Sequence, residues 1–317
     1  MGSARSNQEA VAAFTPTIHR DTYPFISPTS PSTNLSGRSV FIAGASKGIG
    51  RATALSYAAA GCSTIIVGAR SDLSDLEDEI RKAAASAGRK GVPKVVSVRL
   101  DVKSEDSVKA AAEVVQGVLG AGMDGGPLPL DVLICNAGYM EEWKAVGASE
   151  PSEWWNSWEV NLRGTYLCCR YFVPLLLLHD DNGDSDNDNN GLKTAVLTSS
   201  YGALVVAPTA SAYQGAKFAV CRLTECLAAE YESRGLVAFA VHPGGVRTDL
   251  SLNMPAYMHK VLVDEPALPA DTLVWLARER RPWLSGRFVS VEWDMRELEE
   301  RKGEVVERDL LKFRMAC

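Results

Sequence analysis

Apolar and polar positions follow one another along the chain as short apolar runs and longer amphipathic segments. Four apolar runs occupy residues 39–44, 64–70, 94–102 and 131–138. The segments after the first three runs have apolar residues at helical spacing and are predicted to be helices. Continuous apolar runs with helices between them are typical of strands buried on both faces of a parallel sheet. The predicted fold class is therefore α/β, a single doubly wound parallel sheet of about seven strands with helices on both faces.

The second half of the chain continues this pattern. Residues 150–178 are predicted to be helical, and a strand at 193–200 ends in Thr-Ser-Ser. In a sheet of parallel strands, ligands bind at the carboxyl ends of the strands. The remaining predicted elements are, in order, a helix that carries Tyr213, a strand at 235–245, a proline-interrupted segment at 249–266, a helix at 270–280, a strand at 284–294 and a charged, helical tail.

A glycine-rich turn joins the first predicted strand to the first predicted helix. Gly44, Gly48 and Gly50 stand in the sequence GASKGIG, and the second strand follows about 20 residues later. Glycines let the backbone turn sharply and approach a pyrophosphate, and the free N–H groups at a helix start bind its negative charge. A glycine triplet alone is weak support, but the strand before it and the helix after it are the context that the motif requires. The sequence therefore predicts a Rossmann-like, dinucleotide-binding sheet.

The end of the second predicted strand indicates which dinucleotide is bound. An NAD-preferring site usually places an acidic residue there, which bonds the ribose 2′-hydroxyl. Here residues 68–70 are Gly-Ala-Arg, and Asp72 follows after the strand. Arg70 and Lys47, which lies in the glycine turn, suit a 2′-phosphate through charge-assisted hydrogen bonds. We therefore predict NADP(H) as the cofactor, with NAD(H) less favoured; the alternative interpretation of Arg70 is a solvated charge at a strand end.

Tyr213 and Lys217 lie four residues apart on a predicted helix. Side chains at this spacing share one face of a helix. A free tyrosine has a pKa of about 10, and an ammonium group one turn away favours the phenolate and lowers that pKa. Ser200 lies upstream, where a strand would deliver it to the same place. By itself the pair is more typical of an exposed helix face, so its interpretation depends on the other motifs.

Composition and charge exclude several classes of protein. The chain has 317 residues, a formal net charge of −6 and a pI near 5.4, which disfavours nucleic acid and anionic membranes as partners. No run approaches about 20 consecutive apolar residues, and the N-terminus lacks the apolar core of a secretory signal. The seven cysteines are expected to be reduced and buried, as in a cytoplasmic protein, and neither they nor the four histidines form a metal-binding motif.

Two segments lie outside the regular pattern. Residues 1–37 form an N-terminal extension rich in Ser, Thr and Pro, and we expect it to be partly ordered, with residues 23–26 docking it on the surface. The acidic run at 179–191 is predicted to be a disordered surface loop. In a calcium loop that starts at Asp184, Asn189 would replace the glycine of the sharp turn and Ala195 the bidentate glutamate. Residues 38–317 are expected to form a single dinucleotide-binding and catalytic domain.

Seven motifs in sequence order carry a resemblance to a known family. They are GASKGIG (44–50), LDV (100–102), NAG (136–138), Asn161 within VNLRGT, SSYG (199–202), YQGAK (213–217) and HPGGVRT (242–248). The chain resembles the short-chain dehydrogenase/reductase family, in its single-domain subtype, over about residues 38–250. Ala43 and Cys135 depart from the threonine and the asparagine that are common in the family, and neither departure touches the chemistry.

The resemblance implies a set of site residues. Ser200 is implied to bond the substrate carbonyl, Tyr213 to donate the proton, Lys217 to lower the Tyr213 pKa and bond the cofactor ribose, and Asn161 to hold a water in a proton relay. The loop before residue 249 is implied to close over the nicotinamide, and residues 249–266 to form a substrate lid. The predicted cofactor-binding residues are Gly44, Ser46, Lys47, Gly48, Ile49, Gly50, Arg70, Asp101, Val102, Asn136, Ala137, Gly138, Tyr213, Lys217, Pro243, Gly244, Val246 and Thr248.

These residues predict an NADP(H)-dependent oxidoreductase that interconverts a ketone and a secondary alcohol, as a carbonyl reductase of hydrophobic small molecules. One alternative is an NAD(P)⁺-dependent alcohol dehydrogenase. A second, from a different class, is a non-catalytic sensor or scaffold that binds the cofactor. The chain is also similar to filamentous-fungal members of the family, some of which tailor secondary metabolites.

Two further expectations concern the substrate and the assembly. The substrate pocket is predicted to be apolar, and its predicted lining is the lid together with Tyr139, Met140, Trp143, Tyr201, Leu204 and Val205. The resemblance implies a homodimer or homotetramer. The tryptophans of EWWNSWEV are expected to pack in the core or at a subunit contact; they are Trp154, Trp155 and Trp158.

Overall fold

A computed structural model describes residues 13–120, 127–178 and 191–315 of the chain. Within these residues, seven strands form one sheet in the order β3-β2-β1-β4-β5-β6-β7, and every neighbouring pair is parallel. This confirms the predicted α/β class and its Rossmann-like, doubly wound sheet. The strands are β1 (Ser39–Ala43), β2 (Thr64–Ala69), β3 (Lys94–Arg99), β4 (Val132–Cys135), β5 (Thr194–Thr198), β6 (Val237–His242) and β7 (Arg287–Ser290).

Helices cover both faces of the sheet, and the side chains of β1 show how. Val40 and Ile42 belong to one buried cluster, which includes residues of α1, α2 and α7, whereas Phe41 and Ala43 belong to another, with α3, α5 and α6. Successive strand residues point to opposite faces, so one apolar run supplies both cores. The helices are α1 (Gly48–Ala59), α2 (Ser74–Ser86), α3 (Glu105–Leu119), α4 (Pro151–Trp158), α5 (Gly164–Leu176), α6 (Ser211–Tyr231), α7 (Ala267–Ala277), α8 (Met295–Glu300) and α9 (Lys302–Glu307).

Several strands end earlier than the apolar pattern predicts. The third run continues to residue 102, but β3 ends at Arg99. The apolar pattern extends further because Leu100 and Val102 remain buried in the loop that follows the strand. The residues beyond the strands therefore form loops at the carboxyl edge of the sheet.

The predicted lid and the tail are less regular than helices. Residues 249–266 contain two short 3₁₀ turns, Ser251–Asn253 and Ala256–Val261, on either side of Pro255. The charged tail is helical only over α8 and α9, and the backbone N–H of Phe288 then donates to the carbonyl of Leu311, alongside β7. The predicted lid is thus interrupted at Pro255. The tail is no longer helical after α9, where it pairs with β7.

The N-terminal extension is built into the molecule from residue 13 onward. Ile26 and Leu35 are fully buried, and Ile18 forms an antiparallel bridge with Trp293, just after β7. Residues 1–12, and all but Gly191 of the predicted acidic loop at 179–191, lie outside the described residues. In the described parts of the chain, no helix is both long and apolar enough to span a membrane.

Candidate active site

A cleft of about 400 Å³ opens at the carboxyl ends of strands β1 to β6. Most of the predicted site residues line it. Those that do so are Gly44, Ser46, Lys47, Gly48, Ile49, Arg70, Asp101, Val102, Asn136, Ala137, Gly138, Tyr213, Lys217, Pro243 and Thr248. Five predicted residues lie behind or beside this lining: Gly50, Ser200, Asn161, Gly244 and Val246.

The glycine turn is packed so closely that side chains would not fit. Gly44 has a φ of +86°, and a Cβ on it would lie 2.7 Å from the Cα of Ala137. A Cβ on Gly50 would lie 2.1 Å from the carbonyl oxygen of Gly44. The Asn136 side-chain amide donates to that same oxygen at 2.9 Å. The turn is thus held against the Asn-Ala-Gly segment after β4, and both line one wall of the cleft.

The start of α1 provides an anion site in this wall. Lys47 is its N-cap residue and supplies no side-chain cap, and the first turn has no acidic residue. Ser46, Gly48 and Ile49 line the cleft beside it. The free N–H groups and the positive end of the helix dipole therefore face the cleft, which fits a dinucleotide pyrophosphate.

The two predicted cations differ in their surroundings. Arg70 is exposed, lines the cleft and forms no ion pair with any residue that the structure describes. The ammonium of Lys47 instead lies 2.6 Å from the carboxylate of Asp249, and both side chains are 71% exposed. Exposed pairs of this kind contribute little stability, so Lys47 is readily released to an anionic ligand.

Asp101 lies at the rim of the cleft after β3. Its Oδ1 accepts a hydrogen bond from the backbone N–H of Lys103 at 3.0 Å, and its own N–H donates to the Ser107 hydroxyl. Asp101 also lines the cleft. Val102 lies beside Asp101 and packs under Gly164, where a Cβ would come within 2.8 Å of the valine.

Ser200, Tyr213 and Lys217 are brought together at the ends of β5 and α6. Ser200 follows β5, and its hydroxyl accepts a hydrogen bond from the backbone N–H of Gly202 at 3.0 Å. A Cβ added to Gly202 would lie 3.3 Å from the Ser200 hydroxyl and 3.5 Å from the Tyr213 ring, so both groups border the same small space. The ammonium of Lys217 donates to the carbonyl of Thr198 at 2.8 Å and lies 5.6 Å from the centre of the Tyr213 ring. The predicted arrangement of these three side chains is therefore present.

The pKa of Tyr213 is raised, whereas the sequence predicted that it would be lowered. Burial is the main cause that raises it to about 12; the Ser200 hydroxyl opposes the rise and the Glu141 carboxylate adds to it. Burial also lowers the pKa of Lys217 to about 8. The net shift is therefore opposite to the expected lowering, and Lys217 is not among the groups that cause it. Its ammonium binds a backbone carbonyl, and removal from water dominates both groups.

The lowered Lys217 pKa predicts how stability depends on pH. The folded state holds this proton less tightly than the unfolded chain, whose lysine has the ordinary pKa of 10.5, so stability rises with pH between about 8 and 10.5. Relative to Lys217→Met, the wild-type free energy of unfolding should increase by about 2 kcal/mol from about pH 7.5 to 9.5. Urea unfolding at several pH values measures this difference. Lys260→Met, at an exposed position, is the control and should run parallel to the wild type.

Asn161 lies in a π-helical turn, Glu159–Arg163, between α4 and α5, and is fully buried. Its amide nitrogen donates to the carbonyl oxygens of Tyr139 at 2.6 Å and Ser157 at 2.8 Å. Its amide oxygen accepts from the N–H of Tyr139 at 3.2 Å. The side chain thus fixes the backbone that follows the Asn-Ala-Gly segment. π-Helical turns are frequent at functional sites, because they redirect backbone groups.

Three polar residues that support the site were not among the predicted site residues. The buried Glu141 accepts a hydrogen bond from the backbone N–H of Tyr213 at 3.0 Å, at the start of α6. His242 Nδ1 accepts from the N–H of Tyr201 at 3.1 Å, and Asp264 Oδ2 accepts from the N–H of Gly245 at 2.5 Å. Each contact joins segments that are distant in sequence, and no local pattern marks it.

The residues predicted to line the substrate pocket lie mostly elsewhere. The ring of Tyr201 packs edge-on against His242 and Phe288, and Leu204 packs against the core. Leu250, which belongs to the predicted lid, lines the cleft together with Val160. Trp158 and Trp154 pack against α6, since Trp158 fills the space over Gly215 and Trp154 donates to the Ser211 hydroxyl, whereas Trp155 is exposed.

The sequence matches the family model described as short chain dehydrogenase over residues 38–257. The chain belongs to this family. A short chain dehydrogenase of Monascus purpureus, mpl6, is 44% identical over 297 residues, which are 94% of this chain and 94% of that protein. Another, andI of Emericella variicolor, is 40% identical and covers 95% of this chain and 96% of its own length. These relatives confirm the predicted similarity to filamentous-fungal members.

Solved structures agree with the family assignment. The crystal structure of a short-chain type dehydrogenase/reductase from Mycobacterium marinum superposes with a TM-score of 0.67 at 25% identity, covering 82% of this chain and 96% of that one. As a short-chain dehydrogenase, the chain is an enzyme that acts on CH–OH groups with NAD(P). The cleft fits such a cofactor, because its glycine turn leaves room for backbone contact and the start of α1 faces an anion.

Proposed function

We propose that the protein is an NADP(H)-dependent reductase that converts a ketone of a hydrophobic small molecule into a secondary alcohol. The observation that carries this proposal is the position of the Tyr213 phenol, which lines the cleft and borders the same small space as the Ser200 hydroxyl. A pKa of about 12 keeps this group protonated at neutral pH, beside the Ser200 hydroxyl. Reduction needs a proton donor at this place, and a phenol that is protonated at neutral pH can serve as that donor.

Each side chain then has one role. Ser200 donates a hydrogen bond to the substrate carbonyl, and Tyr213 gives its proton to the oxygen as the alcohol forms. Lys217 bonds the cofactor ribose and supplies a positive charge as Tyr213 loses its proton. Asn161 holds the water of the proton relay, and its side chain orders the backbone at Tyr139. NADP(H), when bound, supplies the hydride.

The preference for NADP(H) is proposed from Arg70, which is free to bind the 2′-phosphate. Replacing Arg70 by alanine should lower kcat/KM for NADPH by about tenfold and leave that for NADH within about twofold, because a phosphate contact is lost only with NADPH. Initial rates with both cofactors measure the ratio. Arg99→Ala is the matched control, since Arg99 is an exposed arginine at the end of β3 that does not line the cleft. Equal losses with both cofactors would show that Arg70 does not recognise the phosphate.

The substrate class is proposed from the segment at 249–266, which we assign as the lid. It exposes several apolar side chains next to the cleft: Leu252, Tyr257, Val261 and Val263. An apolar lid gains stability when it closes over an apolar substrate. The fungal relatives agree with a role in secondary metabolism, which we include in the proposal.

A panel of aliphatic, aromatic and polycyclic ketones tests the activity, with NADPH absorbance as the readout and the corresponding alcohols with NADP⁺ in parallel. Faster turnover of the bulky apolar ketones is the expected result. Turnover only of alcohols at neutral pH would favour the dehydrogenase alternative. Tight NADPH binding without turnover on either panel would favour the sensor or scaffold.

The assembly is proposed to be a cytoplasmic homodimer or homotetramer, in which residues 38–317 act as one dinucleotide-binding and catalytic domain. Three aromatic side chains support subunit contacts, because they are exposed on α4, α5 and α6: Trp155, Tyr166 and Phe218. Light scattering after gel filtration gives the mass of the particle in solution.

A further inference from the structure

Arg20 joins two carboxylates from distant parts of the chain. Its Nη1 lies 3.0 Å from Asp264 Oδ1 and also contacts Glu292 Oε1. The Asp264 side chain has no exposed surface, whereas half of the Arg20 side chain is exposed. Arg20, Asp264 and Glu292 all lie outside residues 38–257, the part of the chain that matches the family model.

Asp264 transmits this contact to the turn after β6. Its second oxygen accepts from the N–H of Gly245 at 2.5 Å, and its own N–H donates to the Gly245 carbonyl at 3.0 Å. Gly244 has a φ of +79°, and a Cβ there would lie 2.6 Å from the Asp264 carboxylate. The turn that begins at Pro243, a residue of the cleft wall, is therefore held from behind by Asp264.

Glu292 transmits the contact to the segment that holds Ser200. Its carboxylate lies 3.5 Å from His242 Nε2, and His242 Nδ1 accepts from the N–H of Tyr201 at 3.1 Å. The backbone of the extension is secured at the same place. The N–H of His19 donates to the Glu292 carbonyl, and the N–H of Glu265 donates to the Arg20 carbonyl, both at 2.8 Å.

We propose that Arg20 is a positioning residue, through which the N-terminal extension fixes the Pro243–Gly245 turn and the backbone at Ser200–Tyr201 for cofactor and substrate. Two carboxylates that face the same guanidinium repel each other when it is removed. Asp264 then keeps a buried charge with one oxygen unpaired, a costly arrangement that is relieved by moving the turn. Both carboxylates contact the same guanidinium nitrogen, Nη1, and the guanidinium stays charged throughout the working pH range.

Amide hydrogen exchange tests the inference without any substrate. In Arg20→Met, the amides of Gly245 and Tyr201 should exchange at least about tenfold faster than in the wild type, because their acceptors lose their support. The dissociation constant for NADPH should rise roughly tenfold, as expected when a binding turn is displaced. Arg20→Lys keeps the charge and should show a smaller change in both, about two- to fivefold.

Glu297→Ala is the matched control, because it also removes a contact of the extension. Glu297 accepts from the N–H of Thr17 at 3.0 Å and from its hydroxyl at 2.6 Å, away from the cleft. It should leave the exchange of Gly245 and Tyr201 and the affinity for NADPH unchanged. If Arg20→Met does not fold, Arg20→Lys and Asp264→Asn replace it, and both should accelerate exchange at Gly245.

Two outcomes would overturn the inference. Exchange at Gly245 and Tyr201 unchanged in the folded Arg20 variants would show that the extension does not position them. Equal effects of Glu297→Ala and Arg20→Met would show that general docking of the extension is responsible. The inference depends on the proposed function only for the use of the turn in catalysis. A protein that binds NADPH without turnover contradicts the proposed function and leaves the exchange result to be judged separately.

Discussion

Replacing Tyr213 by phenylalanine is expected to lower kcat for ketone reduction by about 10²- to 10⁴-fold, the range that general acid catalysis contributes. The substitution removes the oxygen and keeps the half-buried ring against Lys217 and Gly202. Because the phenol acts on the reacting oxygen, the dissociation constant for NADPH should stay within about threefold of the wild-type value. Single-turnover kinetics with saturating NADPH measure the chemical step directly.

Tyr171→Phe is the matched control for this prediction. Tyr171 lies on α5, is far from the cleft lining, and its hydroxyl bonds the Glu105 carboxylate at 2.7 Å. The control loses the same hydroxyl at the surface and should keep its turnover within about twofold, as surface substitutions usually do. A Tyr213→Phe enzyme that turns over within a few-fold of wild type would show that another group donates the proton.

Local motifs predicted the cofactor cleft well, because its parts are local. The glycine turn needs residues 44–50 in one order, and Tyr213 and Lys217 meet because they are one helical turn apart. The parallel sheet then brings these motifs together at one edge. This is why most of the predicted cofactor-binding residues line a single cleft.

The supporting contacts follow from tertiary packing, and no local pattern marks them. Arg20 and Asp264 are separated by 244 positions, and neither stands in a recognisable motif. Glu141 reaches the start of α6 from the loop after β4. The direction in which the Tyr213 pKa is shifted likewise depends on all the groups around the phenol. The i, i+4 spacing of Tyr213 and Lys217 describes only one of its neighbours.

The lining of the substrate pocket was also not predictable from local sequence. Tyr201 was expected to line it, as an aromatic residue next to Ser200. The 3₁₀ turn Tyr201–Ala203 directs its ring toward His242 and Phe288 instead. The conformation of a single loop turn decides which side chains face the substrate. The apolar character of the residues does not predict that conformation.

The second large effect is expected from Gly50→Ala. A Cβ at this position would lie 2.1 Å from the Gly44 carbonyl and 2.7 Å from the Asn136 amide nitrogen, so the whole turn must move. Backbone cannot yield as a flexible side chain does, and overpacking of this kind costs about 1–3 kcal/mol of stability. Affinity for NADPH should fall by about 10²-fold or more, because the turn no longer approaches the pyrophosphate. Calorimetric titration with NADPH and urea unfolding measure the two effects.

Gly117→Ala separates this steric effect from the ordinary effect of alanine in a helix. Gly117 is exposed in α3, and nothing lies within 4 Å of a Cβ added to it. Alanine there should stabilise the protein by about 0.5–1 kcal/mol, because glycine is the poorer helix former, and should leave NADPH affinity unchanged. The two substitutions are chemically identical, and both positions are helical, so opposite signs in stability isolate the contact with Gly44. If Gly50→Ala binds NADPH as the wild type does, the backbone at this turn does not approach the cofactor, and the assignment of the pyrophosphate to the start of α1 is wrong.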